Sequence, residues 1–136
     1  EQDHAAANTV LGTWYMDGQT LPHDPQMAER YLTRAVALGD PVARQRLAAL
    51  LVQDTTLADP GRAIEILAGL AHYWQDWQDL SVLAAAQAAM GDYRGAATHQ
   101  HLAIEQANAA QVAPEVMTKM QQRLADYQAH PRELTP

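Results

Sequence analysis

Apolar residues recur at three- and four-residue steps through most of this chain, and no stretch carries the strict alternation of a half-buried strand. Punctuation divides that periodicity into seven predicted helices. The first runs from about His4 to Met16 and stops at Asp17-Gly18. A loop over Gln19–Asp24 follows, and Asp24-Pro25 supplies an N-cap with a proline in the first turn. That second helix reaches Leu38, with Gly39 as its stop. Asp40-Pro41 opens the third helix, to about Gln53, and Asp59-Pro60 opens the fourth, to about Tyr73. Trp74–Asp79 reads as a turn, with Asp76 and Asp79 as candidate caps for a fifth helix ending at Met90. Gly91-Asp92 leads into a sixth helix over Tyr93–Gln111, and Pro114 opens the last, which ends before Pro131. In that last helix Met117, Met120, Leu124 and Tyr127 share one side while Lys119, Gln122 and Arg123 take the other.

A longer period lies over the helical one. Leu11, Leu47 and Leu83 are spaced by 36 residues, and each opens a phrase of small residues: Leu11-Gly12-Thr13, Leu47-Ala48-Ala49, Leu83-Ala84-Ala85. A period in this range predicts helix pairs that bury their apolar faces by stacking on neighbours. The expected organisation is one domain: repeats over about 4–39, 40–73 and 78–111, then a capping helix over about 114–130 with a polar outer face.

Composition narrows the function. The chain has 136 residues, 48% of them apolar, with no Phe, so its core relies on Ala and Gly at close helix contacts. Nine basic residues against sixteen acidic ones give a net charge of −7. That balance argues against nucleic acid and against anionic membrane surfaces as partners. No apolar run approaches the ~20 residues of a membrane span. With no Cys, disulfides and thiolate metal sites are excluded. The chain opens at Glu1 without an initiator Met, which reads as a processed mature form or a trimmed piece; an exported or periplasmic location is favoured over a cytoplasmic one.

The run Leu11-Gly12, Tyr15, Gly18, Leu21-Pro22-His23-Asp24, Ala28, Tyr31, Ala35, Gly39-Asp40, Ala43 resembles a Sel1-like repeat, with Thr20 where that family has a loop glycine. Leu80, Leu83-Ala84, Gly91-Asp92-Tyr93, Ala96 and Ala103 resemble the related tetratricopeptide repeat. Gln87 and Gln100 stand where that family prefers large aromatics, which predicts loose packing of that pair. The resemblance implies an all-α, right-handed superhelix of antiparallel helix pairs. It also implies a protein- or peptide-binding scaffold without catalysis or cofactor, with bacterial cell-envelope or secretion machinery as the setting. On that analogy the first helix of each pair lines a concave face: Thr9, Thr13 and Met16, then Gln45, Ala49 and Val52, then Gln78, Ser81 and Ala85. The expected groove is shallow and nearly uncharged, suited to an apolar helix or extended peptide. Arginine at Ala49 is expected to block capture while leaving the fold nearly intact, and leucine at Gly12 to overpack the first pair.

Other candidates weigh less. Tyr73, Trp74 and Trp77 form either an exposed aromatic patch or a plug between helix pairs. Trp14, inside the Sel1-like phrase, reads as core. His99 and His101 point to different sides of one helix, and His101 with Glu105 offers only two ligands, so no metal site is expected. Ser81, the only serine, lacks the glycine elbow of a nucleophile. Two alternatives to the scaffold remain: a homo-oligomer stacking through His4–Met16 and the last helix, and an enzyme domain with its chemistry in a Trp74–Trp77 cleft.

Overall fold

The computed structural model describes residues 2–68 and 76–130. Among these residues it is all-helical, with seven helices and no strand. They are α1 (Gln2–Asp17), α2 (Pro25–Ala37), α3 (Pro41–Gln53), α4 (Pro60–Ala68), α5 (Trp77–Ala89), α6 (Tyr93–Ala109) and α7 (Pro114–Ala129). The extension of the fourth helix towards Tyr73 lies outside the described residues. The chain divides into two compact units, Glu1–Ile66 and Leu67–Pro136.

In the first unit α1 and α2 form an antiparallel hairpin whose closeness is set by one missing side chain. A Cβ on Gly12 would lie 2.6 Å from Leu32 Cγ and 3.2 Å from the Leu32 backbone nitrogen. Tyr15 and Tyr31 fill the adjoining space as a parallel stack, centroids 5.8 Å apart. The loop between them is tied down: the Asp24 amide donates to the Tyr15 carbonyl, and His23 Nδ1–H donates to the Met16 carbonyl at 2.9 Å. α3 packs on both α2 and α1. Its N-cap, Asp40, accepts from the Val42 amide through one oxygen and from the Thr9 hydroxyl of α1 through the other. α4 returns antiparallel to α3, with the Asp59 amide on the Leu51 carbonyl and Arg44 on the Ile66 carbonyl. Arg62 of α4 pairs with Glu29 of α2 at 2.8 Å.

The second unit is a run of three antiparallel helices. Leu80, Ala103, Ala107 and Met120 form a buried cluster joining α5, α6 and α7, with Trp77, Ile104, Val112, Val116 and Met117 packed against it. At the far end of α6 the Tyr93 ring stacks on His130, centroids 3.7 Å apart, pinning the end of α7.

Three of the connections share one device. At the ends of α2, α5 and α6 the last two bonds cross over: Asp40 to Ala35 and Gly39 to Val36, Asp92 to Gln87 and Gly91 to Ala88, Val112 to Ala107 and Gln111 to Asn108. This is the Schellman ending, which requires a left-handed residue. Gly39 (φ 93°) and Gly91 (φ 88°) supply it freely; Gln111 (φ 59°) supplies it at a cost. After α2 and α5, the residue that completes the ending, Asp40 or Asp92, is also the N-cap of the next helix.

Three expectations are corrected by these contacts. Trp14 is not core: it is 38% exposed. The buried side of α1 is carried by Ala5, Thr9 and Gly12, and Trp14 falls on the opposite side with Ala7, Val10 and Asp17, all exposed. The fifth helix begins earlier than read, because Asp76 accepts from the Gln78 amide and places Trp77 and Asp79 inside the first turn. The α5–α6 pair is not loosely packed at its glutamines. Gln100 is completely buried and doubly hydrogen-bonded, and Gln87 bonds His99 at 2.8 Å.

Candidate functional site

The residues expected to line a binding face fall on α1, α3 and α5, and their burial is uneven. On α1, Thr13 and Met16 are half-buried, whereas Thr9 is buried with its hydroxyl between the Ala5 carbonyl and Asp40. Thr13 turns its own hydroxyl back onto the Thr9 carbonyl. On α3, Gln45 and Val52 are half-buried. Ala49 is only 6% exposed, and it sits in a run of five buried residues, Leu47–Leu51. Five consecutive positions exceed one turn, so this part of α3 has no open side. An arginine at Ala49 would be forced among packed neighbours, so the expectation of a harmless substitution there is withdrawn. On α5, Gln78 is exposed and Ala85 half-buried, while Ser81 is buried. Thr9 and Ser81 are therefore tied into helix packing through their hydroxyls. The residues of this set with accessible surface are Thr13, Met16, Gln45 and Val52 in the first unit, and Gln78 and Ala85 in the second.

Ser81 belongs to a polar link across three helices. Its hydroxyl donates to Gln100 Oε1 at 3.2 Å, and Gln100 Nε2 donates to the Met120 carbonyl at 3.0 Å. Both ends of the Gln100 amide thus have a partner, which removes the main penalty of placing an amide in a core. The sequence offered no signal for this arrangement, because the partners of Gln100 lie 19 and 20 residues away.

Comparison with protein-family models, curated proteins and solved structures finds no match. The chemistry of the site is therefore read from its own side chains. Among the described residues no group of three or more His, Asp or Glu could hold a metal ion. His101 and Glu105 meet at 3.2 Å on the exposed side of α6 as an ordinary four-residue pair. No described helix is long and apolar enough to cross a membrane.

The titratable groups set apart by their surroundings are few. Asp54, after α3, is held below its usual range, chiefly by the Thr56 hydroxyl and further by the Leu57 and Thr56 amides. Burial raises Tyr127 of α7. Asp79 is the distinct case: burial first, and the Asp76 carboxylate second, push it up to about 6. Its Oδ1 is buried with no hydrogen-bond partner. The sequence offered Asp79 with Asp76 as a cap of the fifth helix; Asp76 is the cap, and Asp79 is enclosed in the first turn instead.

Of the aromatic patch, Trp77 is half-buried and packs against the α5–α6–α7 cluster. Tyr73 and Trp74 lie outside the described residues. Val10, 44% exposed, and Trp14 stand four residues apart on the outer side of α1 and make an apolar strip that the sequence reading missed.

Proposed function

We propose that this chain is a non-catalytic scaffold of Sel1-like or tetratricopeptide-like helix pairs that binds a protein or peptide segment on the face made by the first helix of each pair. The observation that carries the reading is the placement of α1 beside α3 as well as α2, with Thr9 bonded to the cap of α3. Such a contact between the leading helices of successive pairs is what a stacked array requires. Thr13, Met16, Gln45 and Val52 then offer a shallow, uncharged surface, suited to an apolar helical or extended peptide.

Phage-displayed peptides selected on the folded protein test this. The expectation is an apolar consensus whose affinity falls by at least tenfold, about 1.4 kcal/mol, in Val52→Arg. The thermal melt of that variant should stay close to the parent's. Failure to select any consensus, or equal affinity for the variant, overturns the reading.

A second reading keeps the same helices but makes the chain an assembly module. The exposed Val10 and Trp14 strip on α1 favours it, since paired apolar side chains on an outer helix face are a usual element of subunit contacts.

A further inference from the structure

We propose that the first turn of α5 is a proton-operated latch, closed while the Asp79 carboxyl is protonated and loosened when it ionises. The proposal is independent of the peptide-binding reading. It begins with placement. Asp79 is 8% exposed, and its Oδ1 is enclosed with no hydrogen-bond donor. A neutral carboxyl tolerates that position far better than a carboxylate, whose burial without a partner is among the costliest arrangements in a protein.

Among the described residues no compensating charge acts on Asp79. The cluster around the neighbouring Leu80 brings Ala103, Ile104 and Ala107 from α6, and Val116, Met117 and Met120 from α7, none of them titratable. The charged groups on those helices are solvent-facing: Glu105 pairs with His101, and Glu115, Lys119 and Arg123 are exposed. Among the described residues the one charge acting on Asp79 is Asp76, of like sign and three residues earlier at the N-cap of α5. Asp76 cannot withdraw, because its carboxylate caps the helix at the Gln78 amide.

Hydrating the enclosed Oδ1 of an ionised Asp79 therefore means opening the turn around it. The turn is hinged to do this locally: Asp76 stands just outside the helix, and the first backbone bond of α5 runs from the Leu80 amide to the Asp76 carbonyl at 3.2 Å. Releasing that bond frees Trp77 from the cluster while the Ser81–Gln100–Met120 link holds the rest of α5 in place.

The direction with pH follows from linkage. In the closed turn Asp79 protonates near 6, against an ordinary value of 3.8 in the open, solvated turn. Below the ordinary value both forms are neutral and opening is pH-independent. Between the two values opening grows up to tenfold per pH unit, and above 6 it levels off.

Native-state hydrogen exchange of the Leu80 amide measures this in the intact protein, after correction for intrinsic exchange rates. Protection is expected to fall by up to about 100-fold between pH 4 and pH 7.5, the equivalent of roughly two pKa units. In Asp79→Asn it should stay high and flat across that range. In Asp76→Asn, which keeps a capping side chain, the fall should shrink and its midpoint move to lower pH. The carboxyl carbon shift of Asp79 in the unaltered protein gives a second measurement, with a midpoint near 6 expected. Leu80 protection that ignores pH, an unchanged pH dependence in Asp79→Asn, or an Asp79 midpoint in the ordinary carboxylate range would each overturn the proposal.

Discussion

Single residues decide how closely these helices approach. At Gly12 the obstacle to any side chain is double: the Leu32 side chain can turn aside, but the Leu32 backbone nitrogen 3.2 Å away cannot. Gly12→Ala is therefore expected to lower stability by about 1–3 kcal/mol through overpacking, despite the better helix propensity of Ala. A urea melt with an unchanged midpoint would contradict the close approach. This position was legible in the sequence, since a glycine in a helical phrase with no capping role implies contact. Trp14 was not, because a single phrase shows the period of a helix but not which side its neighbours occupy. Gln100 and Asp79 were hidden for a related reason. Their state depends on what encloses them, and the enclosing residues come from other helices.

At the level of the element, boundaries were legible wherever a side chain makes them. Asp24, Asp40, Asp59 and Asp92 each accept from an amide at the start of the helix they precede. The start of α5 lies earlier than expected because, of the two candidate caps Asp76 and Asp79, it is Asp76 that accepts from the Gln78 amide. α6 ends at Ala109, two residues short of the expected Gln111, which instead takes the left-handed position of the Schellman ending. Glycine holds the equivalent position after α2 and α5. Gln111→Gly removes the Cβ strain while freeing the unfolded chain, so a net gain of about 0.5–1 kcal/mol is expected. A higher thermal midpoint with unchanged helicity is the observable, and a lower midpoint would mean the Gln111 side chain contributes more than its backbone costs.

For the whole molecule, the helical class and the order of seven helices followed from periodicity and caps, because both are local. The expected stacking of pairs came from a 36-residue spacing; Gly12, Ala48 and Ala84, each following a leucine of that series, are all buried within their own units. The assembly reading belongs at this scale too. It expects a light-scattering mass above 14.9 kDa at tens of micromolar, and a return to the monomer value in Trp14→Glu with helicity retained. A monomer at all concentrations would remove it and leave Val10 and Trp14 as isolated exposed apolar residues. The double duty of Asp40 and Asp92 has a further consequence, for how the chain can change length. Each residue closes one helix and opens the next, so those joints have no slack. An insertion of one amino acid there would split the two roles, costing either the closing bond of one helix or the cap of the next. Deletions and insertions should instead be absorbed at Gln19, Thr20 and Pro22, which are exposed and precede the His23 and Asp24 ties.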